Sequence, residues 1–259
     1  TDDFYSRELQ AQISGSSSQY FRGTTYSGSY TFDYYTYSND ADIAPLGLKG
    51  YARYQFQPSK LLEEYEIKDG SLVPVFKKSN NHSSEIHMRY GFKTFGDQAF
   101  QARIRGFHYF NNPNDSFYSD YVGGFLGMRS YPYFALGGST TGFASLSWFA
   151  PIFRNINKQA GPYTLDKVFA RFFFETGNGW RSPYDTGNNL KSGIGAELRL
   201  ALNGYYLFPL KFFVSGSYGF NKFTLTLPDD FITNSQSNKV TYGRDILIHF
   251  GITFDFELL

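Results

Sequence analysis

The run Val168-Phe-Ala-Arg-Phe-Phe-Phe-Glu-Thr-Gly-Asn-Gly-Trp180 constrains this chain more than any other stretch. Val168, Ala170, Phe172 and Phe174 fall on one side of it, and Phe169, Arg171, Phe173 and Glu175 on the other. A period of two is the signature of a β-strand, whose successive side chains point to opposite faces. One face is wholly apolar, while the other sets two opposite charges among aromatics. Gly177-Asn178-Gly179 then ends the pattern with residues suited to irregular backbone.

The same pattern recurs along the chain. Candidate strands cover 8–16, 27–38, 46–57, 84–95, 99–110, 141–152, 166–176, 190–202, 209–221 and 245–257. Most are 11–13 residues long, whereas globular strands usually run about 5–6. Phe and Tyr together number 51, and both favour strands. The final segment carries an unbroken apolar row: Ile246, Ile248, Phe250, Ile252, Phe254 and Phe256. Residues 58–83 are charged, and Lys68-Asp69-Gly70 within them marks a local hairpin.

Long strands, the aromatic load and short turns alternating with long loops predict an all-β fold. The expectation is a transmembrane antiparallel β-barrel, with about ten strands in residues 1–259. A low mean hydropathy is compatible with this, because a barrel needs apolar residues only at alternate positions.

Composition excludes other classes. There is no Cys, hence no disulfide framework and no thiolate metal site. The formal charge of +1 gives no field that would draw nucleic acid. No apolar stretch is long enough for a membrane helix, and Thr1-Asp-Asp-Phe is not a signal peptide. His82 lies between Asn81 and Ser83, the residue types of a hydrolase triad, but adjacent positions cannot easily form that geometry. Asp115/Asp120 and Asp229-Asp230 read as solvated loop carboxylates rather than a Ca²⁺ site. No cofactor, metal or catalytic residue is expected.

Five features, in order, resemble the C-terminal half of the BamA/TamA superfamily of outer-membrane assembly and secretion barrels, the bacterial surface antigen type. Met128-Arg129-Ser130-Tyr131 lies in a long loop, followed by Leu136-Gly137-Gly138-Ser139 and by Phe143 to Pro151. Phe172 to Gly177 with Trp180, then Ser192 to Arg199 with Pro209-Leu210, continue the series. His249, Gly251, Phe254 and Phe256 complete it as a terminal insertion signal. Ser130 and Glu175 stand where that superfamily usually has Gly and Asp.

The resemblance implies part of a sixteen-stranded barrel in the Gram-negative outer membrane, inserting or translocating proteins without catalysis. Its implied partners are membrane lipid, periplasmic domains or accessory proteins, and client outer-membrane proteins. A barrel anchor or passive pore carrying a propeller or lipase-type domain is the alternative. The loop at 111–140 would fold toward the lumen, with Arg129 anchored on Glu175 by its planar fork.

Overall fold

The computed structural model describes residues 20–38, 40–41, 43–68, 71–111, 118–180, 187, 189–204, 208–226 and 239–254. The expected strand at 8–16, the acidic positions Asp115, Asp229 and Asp230, and Phe256 lie outside them. The chain divides into two compact units, residues 1–27 with 55–82, and residues 28–54 with 83–259.

In the smaller unit, β1 (Phe21–Gly23) pairs antiparallel with the distal half of β3 (Leu46–Lys68), Phe21 lying opposite Leu61. The following strand β4 (Ser71–Lys93) begins three residues after β3 ends, where the sequence marks a turn. Lys77 pairs with Glu63 at 2.9 Å on the exposed surface, and His82 stacks on Phe56 with ring centroids 4.6 Å apart.

The larger unit holds β2 (Tyr26–Thr36) from Gly28 onward, the proximal half of β3, the distal half of β4 and β5 (Ala99–Tyr109). A two-residue pair, β6 (Asp120–Tyr121) and β7 (Gly137–Gly138), brackets a loop. The sheet continues through β8 (Thr140–Phe153), with the short β9 (Lys158–Ala160) against β10 (Tyr163–Trp180). Next come β11 (Lys191–Gly204), β12 (Phe208–Gly219), a small hairpin of β13 (Phe223–Thr226) and β14 (Lys239–Tyr242), and finally β15 (Ile246–Phe254). The main ladder runs β2, β3, β4, β5, β8, β10, β11, β12, β15.

This order corrects the expected barrel. Among the described residues β15 pairs only with β12 and no ladder joins it to β2 or β3, so the described strands form an open sheet. Alternation fixes which face a residue takes, but closure requires matched tilt and stagger and pairing of the terminal strands. Strand length was likewise an insufficient warrant, since open sheets also carry long strands. Among the described residues no helix is long and apolar enough to cross a membrane.

The register lays the two faces out in rows. Ala99 lies opposite Phe149, Phe149 opposite Arg171, and Arg171 opposite Glu197. Ser215 follows beside Glu197, and His249 beside Ser215. Ile43, Ala44, Leu46, Ala99, Phe149, Phe169 and Ala201 pack together at one end of this face and form an apolar cluster there. Asp40 and Lys167 pair at its margin, 3.5 Å apart.

The opposite face carries the apolar rows and is open. Leu146, Phe172, Phe174, Ile194, Leu198 and Val214 are all exposed. Charged residues are thus covered and apolar ones uncovered, the reverse of the usual one-sided antiparallel sheet.

Phe169→Ala removes a ring that is 1% exposed, whereas Phe250→Ala removes one that is 83% exposed. Urea unfolding should show a loss of about 3–5 kcal/mol for the first and under about 0.5 kcal/mol for the second.

Candidate functional site: a loop seated on buried charge

Residues 118–138 fold over the polar face between β5 and β8. The loop is held at its neck by the ladder that sets Asp120 opposite Gly138 and Tyr121 opposite Gly137. Inside it, the Val122 N–H donates to the Leu136 carbonyl at 2.9 Å, and the Met128 N–H to the Val122 carbonyl at 2.6 Å. Val122, Met128, Tyr131, Ala135 and Leu136 make a buried apolar cluster with Phe143 on the sheet below.

Missing side chains let the loop descend. Gly193 and Gly219 are directly paired on β11 and β12, and Gly193 is also opposite Glu175 on β10. A Cβ at Gly193 would collide with the Ser130 hydroxyl, and one at Gly219 would lie 2.8 Å from the Tyr131 ring. At Gly177 it would lie 3.0 Å from Met128 Sδ. The glycines are therefore a trough for Met128, Ser130 and Tyr131, where close approach rather than backbone freedom requires them.

Arg129 is fixed from several directions. Its backbone N–H donates to Glu175 Oε2 at 2.8 Å, and its carbonyl accepts from Ser217 Oγ at 2.8 Å. The guanidinium donates through Nη1 to Glu197 Oε2 and lies over the Phe125 ring, 4.3 Å from its centroid. The side-chain partner is therefore Glu197, while Glu175 holds the loop's backbone; this differs from the simple Arg129–Glu175 ion pair expected above. The Tyr131 hydroxyl sits between the carbonyls of Ser192 and Asn221, at 3.1 and 3.2 Å, and accepts from the Asn221 N–H at 3.0 Å.

Glu197 gathers three arginines. Besides Arg129, Arg199 donates to its Oε1, and Arg171 approaches Oε2 at 3.8 Å. Arg171 also donates to Ser147 Oγ through Nε and Nη2, at 3.1 and 2.9 Å. Burial alone would raise the Glu197 carboxyl, but Arg199, Arg129 and Arg171 together hold it below its ordinary range. Glu175 goes the other way, since burial outweighs Arg171, Arg129 and Arg103 and pushes it up. Burial brings Arg171 down to about 9, still protonated at neutral pH.

A second cluster secures the loop's neck. Arg105 donates to Asp120 Oδ1 at 2.7 Å, to Glu85 Oε1 at 3.2 Å and to the Tyr121 carbonyl at 3.1 Å. Glu85 also accepts from the Tyr51 hydroxyl at 2.9 Å and from Arg53.

The other singled-out residues separate. Gly137, Gly138 and Trp180 adjoin the loop's neck, Gly138 so close to the Trp180 carbonyl that no side chain fits. His249 and Gly251 lie on β15, where Phe125 packs 6.2 Å from the His249 ring and Phe213 covers Gly251. Phe254 ends that strand. Glu197 and the Gly193–Gly219 trough escaped sequence reasoning. The signals were legible, for Gly193, Gly195, Glu197 and Arg199 share the polar face of one strand.

No protein-family model, curated protein or solved structure matches this chain. The resemblance to the BamA/TamA superfamily thus has no support from comparison. With the sheet also open, the readings built on it are withdrawn: insertion or translocation, the anchor or pore alternative, the lipid, periplasmic and client partners, and the outer-membrane placement. Among the described residues no group of His, Cys, Asp or Glu is arranged to hold a metal ion.

A carboxylate held below its ordinary value contributes stability that is full above its unfolded value, 4.5 for Glu197, and is lost as pH falls through the folded value. Glu85 is shifted in the same direction, Tyr51, Arg105 and Arg53 overcoming burial. Urea midpoints should therefore fall below pH 4.5, and Glu197→Gln should flatten that fall. Arg129→Ala should lower stability at pH 7 by about 3 kcal/mol, because it breaks a buried pair. The same variant should raise amide hydrogen exchange across 122–136.

Proposed function

We propose that this chain is a non-catalytic assembly module that joins a second copy of itself by strand pairing along β15. The observation that carries this is the edge itself. Among the described residues Ile246–Phe254 is hydrogen-bonded to β12 on one side only, and its sequence ILIHFGITF contains no Lys, Arg, Asp, Glu or Pro. Proteins that keep an edge from pairing place charges, prolines or bulges on it. None of these devices interrupts this nine-residue strand.

The period of two restricts the register. Antiparallel copies keep apolar faces together only when paired positions share a face. A seam centred on His249 sets Ile248 against Phe250 and Ile246 against Ile252. Burial, and then the charge of Arg129, push the His249 imidazole below its ordinary range, so two such rings can meet uncharged at neutral pH. The arrangement is isologous, the commonest form of homo-oligomer contact.

The polar face supports the absence of catalysis. Glu85, Asp120 and Glu197 are engaged in ion pairs, and Glu175 holds a loop amide. These contacts give each carboxylate a positioning role.

The lack of native Cys makes the test clean. Ile248→Cys and Phe250→Cys alter side chains that are 69% and 83% exposed. Mixed under mild oxidation, the two variants should form a heterodimeric disulfide faster than either forms with itself. Equal rates in all three mixtures would overturn the register. A chain that sediments as a monomer, or whose β15 is protected only by detergent micelles, would overturn self-assembly.

A further inference from the structure

A glycine inside a strand weakens it, and its usual reasons are a bulge, a bend, or something that approaches where a side chain would be. Gly28 on β2 and Gly106 on β5 have no such neighbour within the fold. A Cβ at Gly28 would meet nothing within 4 Å, and one at Gly106 only Ile86 Cγ2 at 3.5 Å. Neither has the positive φ that favours glycine. Gly106 lies opposite Ile86 on β4 and Gly142 on β8, and both ladders run through it without a bulge. Neither a bulge nor a close backbone accounts for this glycine, which points to a ligand from outside.

Both glycines border one cavity of about 790 Å³, open to water on the apolar face of β2 to β5. Tyr30, Tyr54, Ile86 and His108 rise around it, while the small side chains of Ala52 and Ser84 help to keep it clear. Large faces small across the ladder, Ile86 lying opposite Gly106 and His108 opposite Ser84. One wall is held in place, for Phe110 packs 6.4 Å from the Tyr54 ring and 5.0 Å from the His108 ring. His108 Nδ1 also lies 2.9 Å from Thr140 Oγ1. Arg53 and Glu85 belong to the floor, but alternation turns their side chains to the opposite face, where they pair with each other.

We propose that this cavity binds neutral oligosaccharides, with pyranose rings lying against Tyr30 and Tyr54. An open cavity on an apolar face suits a ligand with one apolar side and one wet side. A pyranose ring is such a body, with C–H bonds on its faces and hydroxyls around its rim. Tyrosine matches it, having an apolar ring and a polar tip. The Ser84 hydroxyl and the His108 imidazole supply hydrogen-bonding groups at the margin. No carboxylate or guanidinium among the lining residues faces the cavity, so a charged sugar gains no partner there. Neighbouring strands lie about 4.8 Å apart, so β2 to β5 span roughly 14 Å, room for about two or three linked rings. The site uses no part of the β15 edge and holds whether or not copies pair along it.

An array of neutral and acidic glycans probed with the intact chain, followed by calorimetric titration with the best-bound neutral trisaccharide, tests this. One saturable site is expected, with the trisaccharide bound more tightly than its monosaccharide. Tyr30→Ala should weaken binding about fivefold, as loss of one ring face requires. Its ring is exposed, so the urea midpoint should stay unchanged and the variant reports on binding alone. Gly106→Val should abolish binding by filling the cavity. Valine suits a strand and would sit opposite Ile86, so the fold should be kept. Array binding confined to acidic glycans, absence of any bound neutral glycan, affinity unchanged in Gly106→Val, or decanoate binding there in place of sugar would each overturn the site.

Discussion

Burying charge is what the larger unit must solve, and Glu197 is where it does so. A lone carboxylate removed from water would be strongly unfavourable. Arg129, Arg171 and Arg199 reach it from a loop and two paired strands, so the ion cluster ties the loop to strands with which it shares no backbone ladder. Only one of these arginines comes from the loop, yet its removal exposes the others to an altered balance. The loop's position, the seat of the Arg129 guanidinium over the Phe125 and Phe173 rings, and the hydrogen bond from Ser217 all follow from that anchor.

The two faces then divide the labour. Polar side chains specify one arrangement of the loop because each has few acceptable partners, whereas the apolar rows impose no such selectivity. Trp148 stacks on Phe172 at 5.5 Å on the open face, and its indole N–H donates to Gln98 at 3.0 Å. Even there, local order comes from cross-strand pairs rather than from burial. An exposed apolar surface of this extent marks a place where something else packs, and the open β15 edge lies along its margin.

Strand existence and face were legible in the sequence because the period of two is written residue by residue. Val168 to Glu175 alternates in the fold as it does in the letters, and Arg171 lies beside Glu197 because both occupy polar positions. Closure was not legible, for no residue of β15 encodes whether another strand lies beyond it. The motif order was misleading for a related reason: short runs such as Met128 to Tyr131 are compatible with any loop that must pack on a strand. The loop's approach to the sheet was in fact written in Gly193 and Gly219, but these lie 26 residues apart, and only the register of β11 and β12 makes them neighbours. Arg129 and Glu197 were similarly separated, and choosing Glu175 over Glu197 needed the depth of the loop in its trough.

The glycine trough also orders events in time. The neck of the loop can form as soon as β5 and β8 meet, since Arg105 and the Thr141 hydroxyl, both donors to the Asp120 carboxylate, belong to that early part of the chain. The seat cannot, because Gly193, Gly219 and Asn221 arrive with β11, β12 and the segment after them. Tyr131 must wait across 90 residues for Asn221, and such distant contacts form late because their loop-closure entropy comes due first. Until then Arg129 remains hydrated and the Glu197 side of the sheet is open to water. Docking of the loop is thus a final consolidation step, and a nascent chain carries this polar groove unfilled until β12 has emerged.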